Sequence, residues 1–176
     1  MDKKKILISP ISVADVGLLR MVALKAYADH YLHLWDDGGE WYMQKSFSIT
    51  QLTLELEDGN ARFYLVYCED EAVGFLKVNV DAPFQDVLGV DALELERIYL
   101  SKAASGKGIG KEVVSFVDAL AATLHKKTIW LKVMDSSVKP ITFYTQQGFG
   151  ICGTHRLALE KMKAELRGMY LMKKEI

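Results

Sequence analysis

Gly106, Gly108 and Gly110 stand at alternate positions in the stretch SGKGIGK, Ser105 to Lys111, and an amphipathic pattern follows without a gap. Glycines that open a helix leave backbone N–H groups unpaired and pointing one way. The helix dipole adds about half a positive charge there, so the spot suits an anion. Missing side chains let a phosphate approach the backbone, and Lys107 and Lys111 add mobile positive charge. The alternative is a tight turn whose glycines serve backbone geometry alone. Two known phosphate motifs fail here. A Walker loop needs Ser or Thr after its lysine, where Glu112 follows Lys111, and the Rossmann spacing G-x-G-x-x-G is replaced by G-x-G-x-G.

Such a loop needs a strand before it and a helix after it. LELERIYL, 93–100, alternates like a strand, and Ile109, Val113, Phe116, Val117, Leu120 and Leu124 mark one face of a helix. Upstream, KKILIS predicts a first strand. Ser12 and Asp15 form a loose capping box before a helix carrying Leu18, Leu19, Val22, Leu24 and Ala26. WDDGGEWYMQKSF breaks that pattern, and SITQLTLELED predicts a second helix. ARFYLVYCED and EAVGFLKVNVD predict a hairpin turning near Asp70. Downstream, TIWLKVM alternates as a strand, and PITFYTQQ predicts a short helix with Pro140 near its start and Gly148 as its C′ residue. FGICGTHRL, a helical excursion ALEKMKAEL and the strand GMYLMKK close the chain. The order β-α-α-β-β-β-α-β-α-β-β describes one α/β domain over 1–176 with a mixed sheet.

Bulk properties narrow the function. At 176 residues, half of them apolar, the chain suits a single domain with a sizeable core. A net charge of −1 argues against a general nucleic-acid binder. No apolar run approaches the roughly 20 residues of a spanning helix, and MDKKKILISP lacks a signal-peptide core. Cys68 and Cys152 belong to no CxxC or Cys/His cluster, so a cytoplasmic protein with reduced cysteines is expected. His30 and His33 are spaced to share a helix face, but no third ligand accompanies them and no metal site is expected.

The hexamer Ser105-Gly106-Lys107-Gly108-Ile109-Gly110, preceded by LERIYL and followed by DSSVKPITFYTQQGFG, resembles the GNAT N-acetyltransferase superfamily. That family opens a helix with Arg/Gln-x-x-Gly-x-Gly/Ala and later carries Asn-x-x-Ala-x-x-Phe-Tyr-x-x-x-Gly-Phe. The resemblance runs from about Leu93 to Gly153 and, within the family, points toward bacterial PaiA-type spermidine/spermine acetyltransferases. It implies a GNAT fold: a central, twisted, mixed and mostly antiparallel sheet of about six to seven strands flanked by helices. Ser105 stands where the family has Arg or Gln, Ser137 where it has Asn, and Pro140 where it has Ala. These departures bear on cofactor affinity more than on cofactor identity.

By that resemblance the anion is the pyrophosphate of acetyl-CoA, cradled by Ser105, Gly106, Lys107, Gly108, Ile109, Gly110 and Lys111. Ile98, Tyr99 and Leu100 then pair through their backbone with the pantetheine arm, and Ser137 and Tyr144 complete the site. Acetyl transfer to an amine sets two proton problems. Deprotonating a free ammonium at pH 7 costs about 4.6 kcal/mol, and the departing thiolate must regain a proton. Tyr144, on the family's tyrosine position, suits the acid. Glu94 and Glu96 lie on one face of the strand; they serve as base, bind a cationic substrate, or are simply solvated, and alternation favours neither. The acceptor side falls to YLHLWDDGGEWYM. There Asp36, Asp37 and Glu40 supply negative charge and Trp35, Trp41 and Tyr42 supply cation–π faces, which suits a polyamine; an exposed acidic turn is the competing reading. The expectation is an acetyl-CoA-dependent N-acetyltransferase acting on a small cationic amine. A protein or aminoglycoside acceptor, and a non-catalytic acetyl-CoA sensor, are the alternatives. The terminal strands offer an edge for a homodimer.

Overall fold

The computed structural model describes residues 5–176. Its seven strands are β1 (Ile6–Pro10), β2 (Ala61–Cys68), β3 (Glu71–Asn79), β4 (Ala92–Leu100), β5 (Thr128–Met134), β6 (Gly150–Arg156) and β7 (Gly168–Glu175). They form one sheet in the order β1-β2-β3-β4-β5-β7-β6, in which β4 and β5 are parallel and every other pair is antiparallel. The expected mixed, mostly antiparallel sheet is present with seven strands. Lys4 of the expected first strand lies outside the described residues.

Five α-helices flank the sheet: α1 (Val16–Ala28), α2 (Glu40–Phe47), α3 (Ile49–Glu57), α4 (Ile109–Thr123) and α5 (Val138–Gln146). One face carries α4 and α5, where Ile109, Val113 and Val117 pack with Leu76, Leu93, Leu95, Ile129 and Leu131. The other carries α1 to α3, where Leu19, Phe47 and Leu52 pack on Phe63, Leu65 and Phe75. The capping box forms as expected: the Ser12 hydroxyl accepts from the Ala14 amide and the Asp15 carboxylate from the Ser12 amide, at the 3-10 turn that leads into α1.

Three expectations are corrected. The break after α1 contains a helix of its own, α2, begun at Gly39 with φ +88°. ALEKMKAEL is not helical; only Ala164–Leu166 makes a 3-10 turn. Tertiary pairing wins over helix propensity there. Met162 is buried and bridges Trp35, the Asp36 amide donates to the Lys161 carbonyl, and the Lys163 amide donates to the Leu34 carbonyl. Finally, β7 is not an edge strand. It inserts between β5 and β6, so the sheet's edges are β1 and β6.

Candidate active site

β4 and β5 pair over only three registers, from Ala92–Thr128 to Glu94–Trp130, and then part. A parallel pair held at one end opens a gap at the other, and this gap is the candidate site. A bulge in β4 shapes one wall: Lys77 faces Arg97 and Val78 faces Leu95, which leaves Glu96 as the extra residue. Leu93, Leu95, Ile98 and Leu100 therefore turn toward α4, while Tyr99 packs on the opposite face. Glu96 and Arg97 both reach Glu55 or its partners on the α3 side. Strict alternation would have sent Arg97 away from Glu96. A cavity of about 300 Å³ opens here, lined from β4 by Leu95 to Tyr99, from β5 by Lys132 to Met134, from α5 by Ser137, Pro140 and Tyr144, and beyond by residues of α1, α2 and the β6–β7 connection.

Next to the gap, β4 runs into the glycine loop. Gly106 and Gly108 hold φ of +71° and +75°, and nothing stands within 4 Å of where a Cβ would sit on either. Gly108 is the N-cap of α4 and provides no side-chain cap, so the helix's first amides stay uncovered. Gly110 is glycine for a different reason: a Cβ there would lie 3.2 Å from the Phe143 ring. Ser105, Lys107 and Lys111 are exposed, and Ile109 is buried beneath them. The Ser101 amide donates to the Val73 carbonyl at 2.8 Å, toward β3, so alternation turns the backbone of Ile98 and Leu100 toward the gap. The ring of His30 already donates to the Leu100 carbonyl at 2.9 Å.

The family model for the acetyltransferase (GNAT) family matches residues 23–149, a span that holds the gap, the loop and Tyr144. This chain belongs to the GNAT family. It is an N-acetyltransferase with acetyl-CoA as cosubstrate, and the open cradle at Gly106 and Gly108 fits the pyrophosphate of that molecule. Similar proteins include an uncharacterised N-acetyltransferase of Lactobacillus delbrueckii subsp. lactis, 27% identical over 118 residues and covering 67% of this chain and 68% of the relative. A probable spermine N(1)-acetyltransferase of Bacillus subtilis subsp. natto is 27% identical over 103 residues, 56% of this chain and 68% of the relative. Among solved structures, the PaiA N-acetyltransferase of Thermoplasma acidophilum in complex with coenzyme A superposes with a TM-score of 0.76 at 19% identity, over 98% of this chain and 99% of that one.

In this GNAT chain the two candidate carboxylates have different surroundings. Both accept from the Asn79 side-chain amide, Glu94 at 2.8 Å and Glu96 at 3.0 Å. Glu96 lines the cavity, 2.6 Å from Lys77 Nζ and 3.5 Å from Arg97. Glu94 is buried beside Lys132 at 3.7 Å and is absent from the cavity lining. Lys77 and Arg97 are also held by Glu55 of α3, at 2.8 and 2.9 Å. Burial opposes the charge of Glu55, but Arg97, Gln51 and Lys77 outweigh it and keep its carboxyl below the ordinary range. Tyr144 is half-buried in the cavity wall; desolvation, with Tyr31 adding to it, raises its phenol above the ordinary value and keeps it protonated.

The expected acceptor residues divide. Trp35 lines the cavity, stacks on Tyr42 at 4.8 Å and donates from Nε1 to the Tyr27 hydroxyl at 2.8 Å. Asp36, Asp37, Glu40 and Trp41 are outside the lining. Asp37 caps α2, its two oxygens accepting from the Gly39 and Trp41 amides at 2.9 Å each. Glu40 accepts from Gln44, and Trp41 lies under Lys45. Tyr42, expected on the acceptor side, and Tyr99, expected on the cofactor side, do line the cavity, and the structure adds Tyr27 and Tyr31. Tyr27, Tyr31 and Trp35 recur every four residues, a readable stripe. Glu55, Lys77 and Asn79 had no such signal, because only strand pairing and helix packing unite them. Among the described residues no group of His, Cys, Asp and Glu is arranged to hold a metal, and no helix is long and apolar enough to cross a membrane.

Proposed function

We propose that this enzyme acetylates a small primary amine by direct attack in the β4–β5 gap, with Glu96 receiving the amine and Tyr144 protonating the departing sulfur. The observation that carries the proposal is that Glu96, from the β4 bulge, and Tyr144, from α5, line the same cavity, one wall of which, β4, runs on toward the glycine loop. Acetyl-CoA brings an activated acyl group whose sulfur leaves readily. The backbone of Ser105 to Lys111 and of Ile98 and Leu100 holds its phosphate and pantetheine portions, with Ser137 at the start of α5 beside them. A carboxylate is a weak base toward an ammonium, so Glu96 passes the amine's proton on through water. Tyr144 stays protonated because its surroundings are apolar, and those surroundings also raise the proton affinity of the thiolate that it serves.

A polyamine acceptor draws its support from the name of one relative, the probable spermine N(1)-acetyltransferase. Thiol release with wild type, Tyr144→Phe and Glu96→Gln tests the reaction. Tyr144→Phe lowers kcat by about 10²-fold or more with acetyl-CoA binding intact. Glu96→Gln has a defect that shrinks as the pH climbs toward the amine's own pKa of about 10, where free amine no longer needs help. Full activity in Tyr144→Phe, or a Glu96→Gln defect constant with pH, rejects those roles.

A further inference from the structure

On the acceptor side the cavity is walled by Tyr27, Tyr31, Tyr42 and Tyr99 together with apolar residues that include Leu159 and Met162. The charged side chains of the lining are Glu96, Arg97 and Lys132. Each already has a partner: Arg97 is held by Glu55, Lys132 lies beside Glu94, and Glu96 is paired with Lys77 and Arg97, so the lining offers no free carboxylate. The acidic residues nearby, Asp36, Asp37 and Glu40, lie outside it.

From this arrangement we infer that the acceptor is a monoamine with an apolar, preferably aromatic, body rather than a polyamine; the inference rests on the proposed reaction at Glu96 and Tyr144. A polyamine would bring a second and third ammonium into this space. Each loses hydration that no free carboxylate in the lining replaces. Cation–π contact returns less than that loss. The tyrosine faces are also largely engaged with one another: Tyr27 stacks on Tyr42 at 4.9 Å, and Tyr27 and Tyr31 each meet Tyr99 at 5.4 Å. Desolvation wins. A single amine avoids that cost, since it reacts as the neutral base and carries no second ammonium. Its apolar body gains from the walls about 25 cal/mol for each Å² removed from water. At about 300 Å³ the cavity sits at the small end of ligand sites and has to admit the acetyl end of the cosubstrate as well, so the body is small.

The test compares kcat/KM for butylamine, putrescine, phenethylamine and spermidine at fixed acetyl-CoA, with Tyr144→Phe as the background. Butylamine and putrescine differ chiefly by one terminal ammonium. Butylamine is expected to exceed putrescine by about tenfold or more, which is about 1.4 kcal/mol, and phenethylamine to exceed both. A second variant places a carboxylate in the wall. Leu159 lies on the loop between β6 and β7 and is only partly buried, so Leu159→Glu is expected to fold and to narrow the butylamine-to-putrescine ratio by about tenfold. Putrescine or spermidine preferred, with turnover lost in Tyr144→Phe, overturns the acceptor inference and leaves the reaction standing. An unchanged ratio in Leu159→Glu removes this wall from the acceptor site. No amine above the Tyr144→Phe background overturns both.

Discussion

The phosphate loop from Ser105 to Lys111 is exposed backbone with a few mobile charges, whereas the acceptor side of the gap is buried aromatic rings set against an ion network. In the proposed reaction the loop works through main-chain amides and two glycines with positive φ, so its side chains are free to vary; Ser105 stands there without the family's long donor. The acceptor wall is made of side chains from α1, α2, β4 and the β6–β7 connection, each held by the others. Substitutions on the two sides should therefore fail in different ways. Loop variants should lose cofactor affinity and keep the fold, and network variants should lose stability first.

The largest loss of stability is expected at Glu55. Glu55→Gln removes the carboxylate that holds Lys77 at 2.8 Å and Arg97 at 2.9 Å in a site where all three side chains are nearly inaccessible. Removing one partner from a buried pair costs about 3–5 kcal/mol, and the low end, about 3, applies because Glu96 still faces both cations. Urea unfolding at pH 7 measures it. Glu55 also ties stability to pH. Its folded carboxyl titrates below its unfolded value of about 4.3, so its contribution is complete above that pH and fades as acid carries the protein down through the folded value. Wild type should thus lose more stability than Glu55→Gln as the pH is lowered from about 5 to about 3, a window that opens at the unfolded value. Equal losses would mean that the network is solvated and that the two sides are not built so differently.

Legibility in the sequence divides along the same line. The loop could be read because its signal is local: three glycines, two lysines and a helix in one short stretch. Tyr144 came from a local motif in the same way. The seven strands were legible, LELERIYL and TIWLKVM by alternation and the hairpin by its aromatic and branched residues, but the bulge at Glu96 was not, because a bulge is a property of two strands and LELERIYL alternates without hint of it. Alternation alone could not rank Glu94 and Glu96; the cavity takes Glu96. ALEKMKAEL has the composition of a helix and is held extended by Leu34, Trp35 and Asp36, more than 120 residues earlier. The acidic turn keeps two readings for a related reason. Asp37 sits where a substrate-binding acid was expected, but two backbone amides of its own turn claim its oxygens first.

On the loop side the expected effect is intermediate. Gly108→Ala puts a Cβ on a residue with φ +75°, a conformation that costs a side chain about 1 kcal/mol, in space that is open to the protein but reserved for phosphate. The methyl group keeps the anion from the first amides of α4. KM for acetyl-CoA should climb about tenfold, or about 1.4 kcal/mol, with the KM for amine unchanged and unfolding shifted only slightly. A stability loss as large as that of Glu55→Gln, with cofactor affinity intact, would erase the distinction between the two sides.

The smallest effect separates the two readings of the acidic turn. Asp37 accepts from the Gly39 and Trp41 amides with different oxygens, and asparagine has only one carbonyl oxygen to offer, so Asp37→Asn gives up one of the two bonds. The Trp41 hydrogen bond, more than the Gly39 one, holds the Asp37 carboxyl below its ordinary value. Its contribution to stability is therefore present above the unfolded carboxyl pKa and is lost as pH falls through the folded one. A modest fall in Tm at pH 7 that vanishes in acid is expected, and it is to be measured beside the KM for butylamine and for putrescine. As a cap on α2, Asp37 leaves both KM values where they were. As a counter-ion for a polycation it would raise the putrescine KM alone, and that result would bring the acidic turn back into the acceptor site and reopen it to polyamines.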